Sequence, residues 1–228
     1  MQPLKSVNRP RDLTRDKVIE AGLALLDCEG VGAVTMRAVA ESLNVTPMAL
    51  YNHVSSKDDL LRAIAADILD NANFDGGTSD WRDQVAYCFA EFRAICLRHP
   101  GLSRLLETPD IAPGTVFAPM EVTLNALSQA GLSELDGVRT YFTLVGFTIM
   151  QADYQSRGPY IDLEPADGTR SQRIAGRGYR MVEGMELPRE WDFGAAFDFG
   201  LSLILDGVEA AIRRSDRQRG QTSDIGGE

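Results

Sequence analysis

Between Thr35 and Lys57 the chain gathers side chains suited to a duplex rather than to a small substrate. Thr35, Arg37, Thr46, Tyr51, Asn52, His53 and Lys57 stand close together in sequence, with Pro47, Met48 and Ala49 among them. An asparagine can pair with adenine in the major groove, and small or apolar side chains meet thymine methyls. Hydroxyl, imidazole and ammonium groups grip phosphate oxygens. Catalysis needs different company. The chain has two histidines, His53 and His99, and they do not form a pair at metal-ligand spacing. No glycine-rich phosphate loop and no Gly-x-Ser-x-Gly elbow occurs. An enzyme therefore has no constellation to work with, and no metal and no cofactor is expected.

The elements that must hold these groups are short helices. Thr35 can cap a helix carrying Met36, Val39, Ala40 and Leu43 at i, i+3, i+4, i+7 spacing. Asn44 stands where the chain reverses, and asparagine tolerates the left-handed conformation that ends a helix. Val45 fills the angle between the helices. Thr46 is an N-cap and Pro47 an N1 proline, so a second helix of about two turns starts there. Ser55 and Ser56 cap a third. Leu50 and Val54 face inward in this scheme, which leaves Met48, Ala49, Asn52 and His53 outward with Tyr51 beside them. By spacing alone, an ordinary helical hairpin in an all-α domain would read the same way.

The longer pattern is more specific. Thr35-x-Arg37, Val39-Ala40 to Leu43, Val45, Pro47, Leu50-Tyr51-x-His53-Val54, Lys57 and Leu60-Leu61 follow one another within residues 14–70. This segment resembles the DNA-binding domain of TetR-family transcriptional regulators. The resemblance implies an all-α chain: an N-terminal three-helix helix-turn-helix domain followed by a helical ligand-binding and dimerisation domain. It also implies a homodimer that represses transcription from a palindromic operator in double-stranded DNA and is released by a small-molecule effector. A helical carrier or sensor that binds no DNA is the alternative.

Composition agrees with a globular protein: 44% of the residues are hydrophobic and 25% charged. Apolar runs such as Phe142–Met150 are too short to span a bilayer, so no membrane partner is expected. The N-terminus shows no hydrophobic targeting core, which predicts a cytoplasmic location. Cys28, Cys88 and Cys96 have no metal spacing and lie in mostly apolar helical stretches, where reduced core residues are expected.

Net charge is −10, which opposes broad attraction to nucleic acid. The imbalance is uneven: residues 1–70 hold 8 basic and 10 acidic side chains, the remainder 15 and 23. Lys5, Arg9, Arg11, Arg15 and Lys17 crowd ahead of or onto the first helix. Specific, salt-sensitive binding with weak non-specific binding follows.

In chain order, residues 1–12 read as a polar arm able to reach a minor groove, or as a plain tail. Helices are predicted over about 15–29, 57–71, 81–98, 102–107, 115–130, 134–155, 171–185 and 191–214, besides the short pair already described. Gly76-Gly77 marks the best boundary, which divides the chain into a DNA-binding domain (1–72), an effector and dimerisation domain (73–215) and a polar tail (216–228). No stretch alternates at period two, so no sheet is expected.

Helices 134–155 and 191–214 are apolar nearly all round, which a helix covering one side of a monomer should not be. A two-fold seam is therefore expected, with Phe197, Gly200, Leu201, Ile204, Gly207 and Val208 along it. The alternative is a central helix of one monomeric core. Phe89, Phe92, Met120, Leu124, Phe142, Phe147, Met150 and Tyr154 are at once ordinary core candidates and candidates to line an effector pocket. The family resemblance favours the pocket. Tetracycline repressors use a histidine on the short helix after the His-containing stop. Residues 102–108 contain none, which counts against tetracycline as the effector.

Overall fold

The computed structural model describes residues 13–108, 117–157 and 191–223. The arm with Lys5, Arg9 and Arg11, residues 109–116 and the helix expected over 171–185 lie outside the described residues. Within them the structure is all-helical. The elements are α1 (Arg15–Glu29), α2 (Met36–Ser42), α3 (Pro47–Leu50), α4 (Lys57–Asp70), α5 (Trp81–Arg98), α6 (Pro100–Leu106), α7 (Phe117–Gln129), α8 (Glu134–Arg157) and α9 (Phe193–Ser223).

Local chemistry sets the first boundaries. The Thr14 hydroxyl accepts from the Lys17 amide at 3.2 Å, and Gly30, at φ 81°, closes α1 with its amide on the Leu26 carbonyl. Val18, Gly22 and Leu26 form the buried stripe of α1, and Leu25 sits at its edge. Gly22 lets the helix approach α4 closely, since a β-carbon there would meet Ile64 Cδ1 at 2.6 Å. Val18, Val39, Leu50, Val54, Leu60 and Ile64 then close a small core that is almost wholly shielded from water.

α4 leaves this bundle and also packs on α6, while α1 reaches α6 directly. The expected helix stop at His99 is a joint. His99 ends α5 and begins α6, and Pro100 supplies the first residue of the new helix. Gly101 sits against the last turn of α1, where a β-carbon would lie 2.5 Å from Leu26 Cδ1 and 3.2 Å from the Leu26 carbonyl oxygen.

The larger bundle is built by α5, α7 and α8, with α9 laid along α8. Its centre is aromatic. Phe89 meets Phe92 edge-on at 6.2 Å and Tyr141 at 6.1 Å, and all three are fully buried. Arg93 lies over the Phe197 ring at 4.9 Å, and Arg82 pairs with Asp206 at 2.5 Å, so α5 is tied to α9 at two points. α9 continues to Ser223, beyond the end near 214 that its composition suggested. Cys88 and Cys96 are buried as expected, and burial pushes their thiols up to about 11 and about 12. Cys28 departs from expectation: it is exposed, because it falls outside the buried stripe of α1.

Candidate nucleic-acid interface

The segment from Thr35 to Lys57 folds as two helices around a tight corner. The Thr35 hydroxyl accepts from the Ala38 amide at 3.1 Å and starts α2. Asn44 takes φ 55°, the left-handed conformation, and Val45 donates back to the Ala40 carbonyl at 2.9 Å. Thr46 stands at the N-cap of α3, but its side chain makes no capping bond. α3 itself is a single turn, half the length expected. A helix this short has no stability of its own and is held by what surrounds it.

Leu50 and Val54 are its anchors, 0% and 1% exposed. The other side of the turn is open. Met48 is 75% exposed and Tyr51 49%, Asn52 and Thr46 are exposed, and Ala49 and His53 are partly so. Arg37 projects from α2 next to this surface and borders a shallow notch with Ala40, Glu41, Asn44, Val45 and Pro47. Lys57 begins α4 and is partly exposed. The ten residues singled out by type are each exposed or partly exposed, so the segment from Thr35 to Lys57 has an outward face. It carries an amide, a phenol, an imidazole, a guanidinium and an ammonium around a thioether and a methyl, the mixture that major-groove edges and flanking phosphates accept.

Behind that surface lies a junction that residue spacing does not reveal. The Arg15 guanidinium donates to the His53 carbonyl at 2.6 Å through Nη1 and approaches Asp59 at 3.5 Å through Nη2. Asp59 accepts from the Ser55 amide at 2.7 Å and the Ser55 hydroxyl at 3.1 Å, while the Ser56 hydroxyl accepts from the Asp59 amide at 3.0 Å. This is a reciprocal cap at the start of α4. The Ser55 amide holds the Asp59 carboxyl below its ordinary range. Partial burial opposes the shift, and the Ser55 hydroxyl and Arg15 add to it.

The residues expected to line an effector pocket separate into two groups. Phe89, Phe92, Met120, Leu124, Phe147 and Tyr154 are buried or half-buried in the larger bundle. Phe142 and Met150 are not: they are 57% and 48% exposed. α8 turns Tyr141, Leu144, Thr148 and Ala152 inward, and that choice of face puts Phe142 and Met150 outside. The residues expected along a two-fold seam also divide by burial within the single chain. Phe197, Leu201 and Val208 are buried within the single chain, Ile204 is half-buried, and Gly200 faces Phe147, whose ring would lie 2.6 Å from an added β-carbon. Only Gly207 of the six is exposed. The outward apolar side of α9 carries Phe199 and Leu203 instead, 68% and 55% exposed. An all-round apolar helix has no polar stripe to say which side turns in, so periodicity could not assign these faces.

Comparison with known proteins agrees with this geometry. Residues 18–64 match the family described as bacterial regulatory proteins, tetR family, and residues 75–212 match the tetracyclin repressor-like C-terminal domain. The HTH-type transcriptional repressor DrrR1 of Streptomyces coeruleorubidus is 28% identical over 225 residues, covering 92% of this chain and 82% of its own. The Streptomyces coelicolor TetR family protein ActR, solved in complex with (S)-DNPA, is 25% identical. It superposes with a TM-score of 0.66 over 89% of this chain and 99% of its own. BioQ solved with its double-stranded DNA operator is 25% identical, with a TM-score of 0.63 over 87% of this chain and 99% of its own. These relatives are regulators rather than enzymes. Among the described residues no helix is long and apolar enough to cross a membrane. An exposed one-turn helix mounted on a packed three-helix frame, ahead of a second helical body, places this chain in the TetR family of transcriptional regulators, with a DNA-binding helix-turn-helix at its N-terminus.

Proposed function

We propose that the chain is a cytoplasmic, homodimeric repressor that binds a palindromic operator and leaves it when a small hydrophobic effector binds. Residues 1–72 read DNA and 73–215 hold effector and partner, while the polar stretch that follows runs on in α9 as far as Ser223. The observation that carries this reading is the exposure of Met48, Ala49, Tyr51 and Asn52 on a turn anchored by Leu50 and Val54. One such turn touches too few base pairs for useful specificity, and a two-fold pair doubles the contacts. Exposed apolar side chains on α8 (Phe142, Met150) and α9 (Phe199, Leu203) support a second copy as their cover.

The effector belongs between α5, α7 and α8. The interior there is aromatic, and the Thr148 hydroxyl is buried without a hydrogen-bond partner. A ligand carrying one well-placed polar group would satisfy it. In the repressing state the two α3 turns sit roughly 34–36 Å apart, the repeat of the major groove. Effector binding tilts α4, which is packed against both α1 and α6. Operator and effector then oppose one another through a coupling of about 1–3 kcal/mol.

The direct test is fluorescence anisotropy with a duplex spanning the region upstream of the chain's own gene. Saturable binding, stronger than to an unrelated duplex and lost at raised salt, is expected. Equal binding to both duplexes would remove the operator from the reading and favour a carrier.

A further inference from the structure

α3 makes up a single turn with no side-chain cap, so its orientation must be set from outside. Two of its restraints are apolar, Leu50 and Val54, and these fix depth better than rotation. Val45, bonded to the Ala40 carbonyl, ties down its near end, and a second directional restraint lies at its far end. Nη1 of Arg15, the first residue of α1, donates to the carbonyl of His53 at 2.6 Å, 38 residues away. Nη2 of the same guanidinium turns to Asp59, whose carboxylate is fixed by Ser55. One planar group therefore joins the start of α1, the turn that ends the recognition segment and the cap of α4. Arg15 gains nothing from its own helix, because a cation at the first position faces the positive end of the dipole.

We propose that Arg15 is the positioning residue of the DNA-reading turn: it acts through the His53 carbonyl and the Asp59 carboxylate, and it is not one of the phosphate-gripping cations of the N-terminal basic cluster. The proposal rests on the operator-binding reading above. It separates Arg15 from its basic neighbours in a way that charge counting cannot. A phosphate contact contributes to every duplex and to the salt slope of binding. A positioning contact serves discrimination, since it decides whether Met48, Ala49, Tyr51 and Asn52 meet the base edges in register.

The test uses the full-length chain and two labelled duplexes. One is selected by the wild-type chain from a random-centre library, and the other is unrelated and of equal length. Arg15→Gln should weaken binding to the selected duplex about tenfold. Its binding to the unrelated duplex, and the slope of log affinity against log salt, should stay at the wild-type values. Asp59→Asn provides a comparison of opposite sign. Removing an acid beside the reading face would tighten binding on charge grounds alone, whereas loss of positioning loosens binding to the selected duplex. If circular dichroism shows Arg15→Gln unfolded at the assay temperature, Arg15→Lys takes its place. It keeps the charge but cannot fork to both acceptors, so weakened discrimination is expected. A salt slope reduced by about one with equal loss on both duplexes would overturn the proposal. So would tighter binding by Asp59→Asn, or wild-type discrimination by Arg15→Lys. A wild-type chain that enriches no duplex would instead overturn the operator reading, and the proposal with it.

Discussion

His99 Nδ1 lies 2.9 Å from the Asp27 carboxylate, so the joint between α5 and α6 is bonded to the last turn of the first helix of the DNA reader. Two residues on, Gly101 allows α6 to sit against Leu26. The two contacts should differ in worth. The hydrogen-bonded contact is partly open to water, with side chains 17% and 32% exposed, so Asp27→Asn should change stability by less than about 1 kcal/mol. Gly101→Val must displace a leucine and press on a backbone carbonyl, and should cost about 1–3 kcal/mol. Urea unfolding of both variants checks the order, and an equal loss from each would contradict it.

The reading face gives a second prediction. Arg37→Ala and Tyr51→Phe should each weaken operator binding, on the order of tenfold. Both side chains are exposed, so the melting temperature should hold. Arg37→Ala should also lower the salt slope by about one. Wild-type affinity in both variants would take the groove away from this surface.

The cap of α4 gives a pH dependence. The Asp59 carboxyl is depressed in the folded chain from its ordinary value of 3.8, so the unfolded chain binds that proton more readily. The stabilisation is fully present above 3.8 and is lost as pH falls through the lower folded value. The difference in melting temperature between wild type and Asp59→Asn should be constant at neutral pH and close in acid. A difference that grew on acidification would have the wrong sign.

The inward and outward sides of α9 separate two kinds of substitution. Phe199→Glu with Leu203→Glu places charge on the outward apolar side, and light scattering should find half the wild-type mass. Gly200→Ala presses a methyl into the Phe147 ring and should lower stability by about 1–3 kcal/mol in the single chain without changing that mass. A wild-type chain that scatters as a monomer would end the two-fold reading.

The thiols can be counted. Cys28 is exposed, while Cys88 and Cys96 are buried with their thiols pushed up. A thiol reagent at neutral pH should modify one cysteine per native chain and all three after denaturation. Rapid modification of a second would show that the larger bundle opens.

What could be read beforehand was local. Thr14 and Gly30 bracket α1 because a cap and a left-handed glycine act within one turn, and Asn44 marks its corner for the same reason. The outward set followed from Leu50 and Val54 being the only branched aliphatic residues between Thr46 and Val54. The side that α8 and α9 turn inward was not legible, since residues on both sides are equally apolar. Nor was the bond from Arg15 to His53: nothing at either position announces a partner so distant in sequence. Cys28 was misplaced for a simpler reason, because an apolar neighbourhood in sequence is not a face of a helix.

A reading turn that owes its shape to Leu50, Val54 and the groups behind it leaves the side chains at positions 48, 49, 51 and 52 with little share in folding. Those four positions can be rewritten like the teeth of a key while the blank stays the same. Target choice can then drift rapidly between descendants of this chain at almost no risk of collapse.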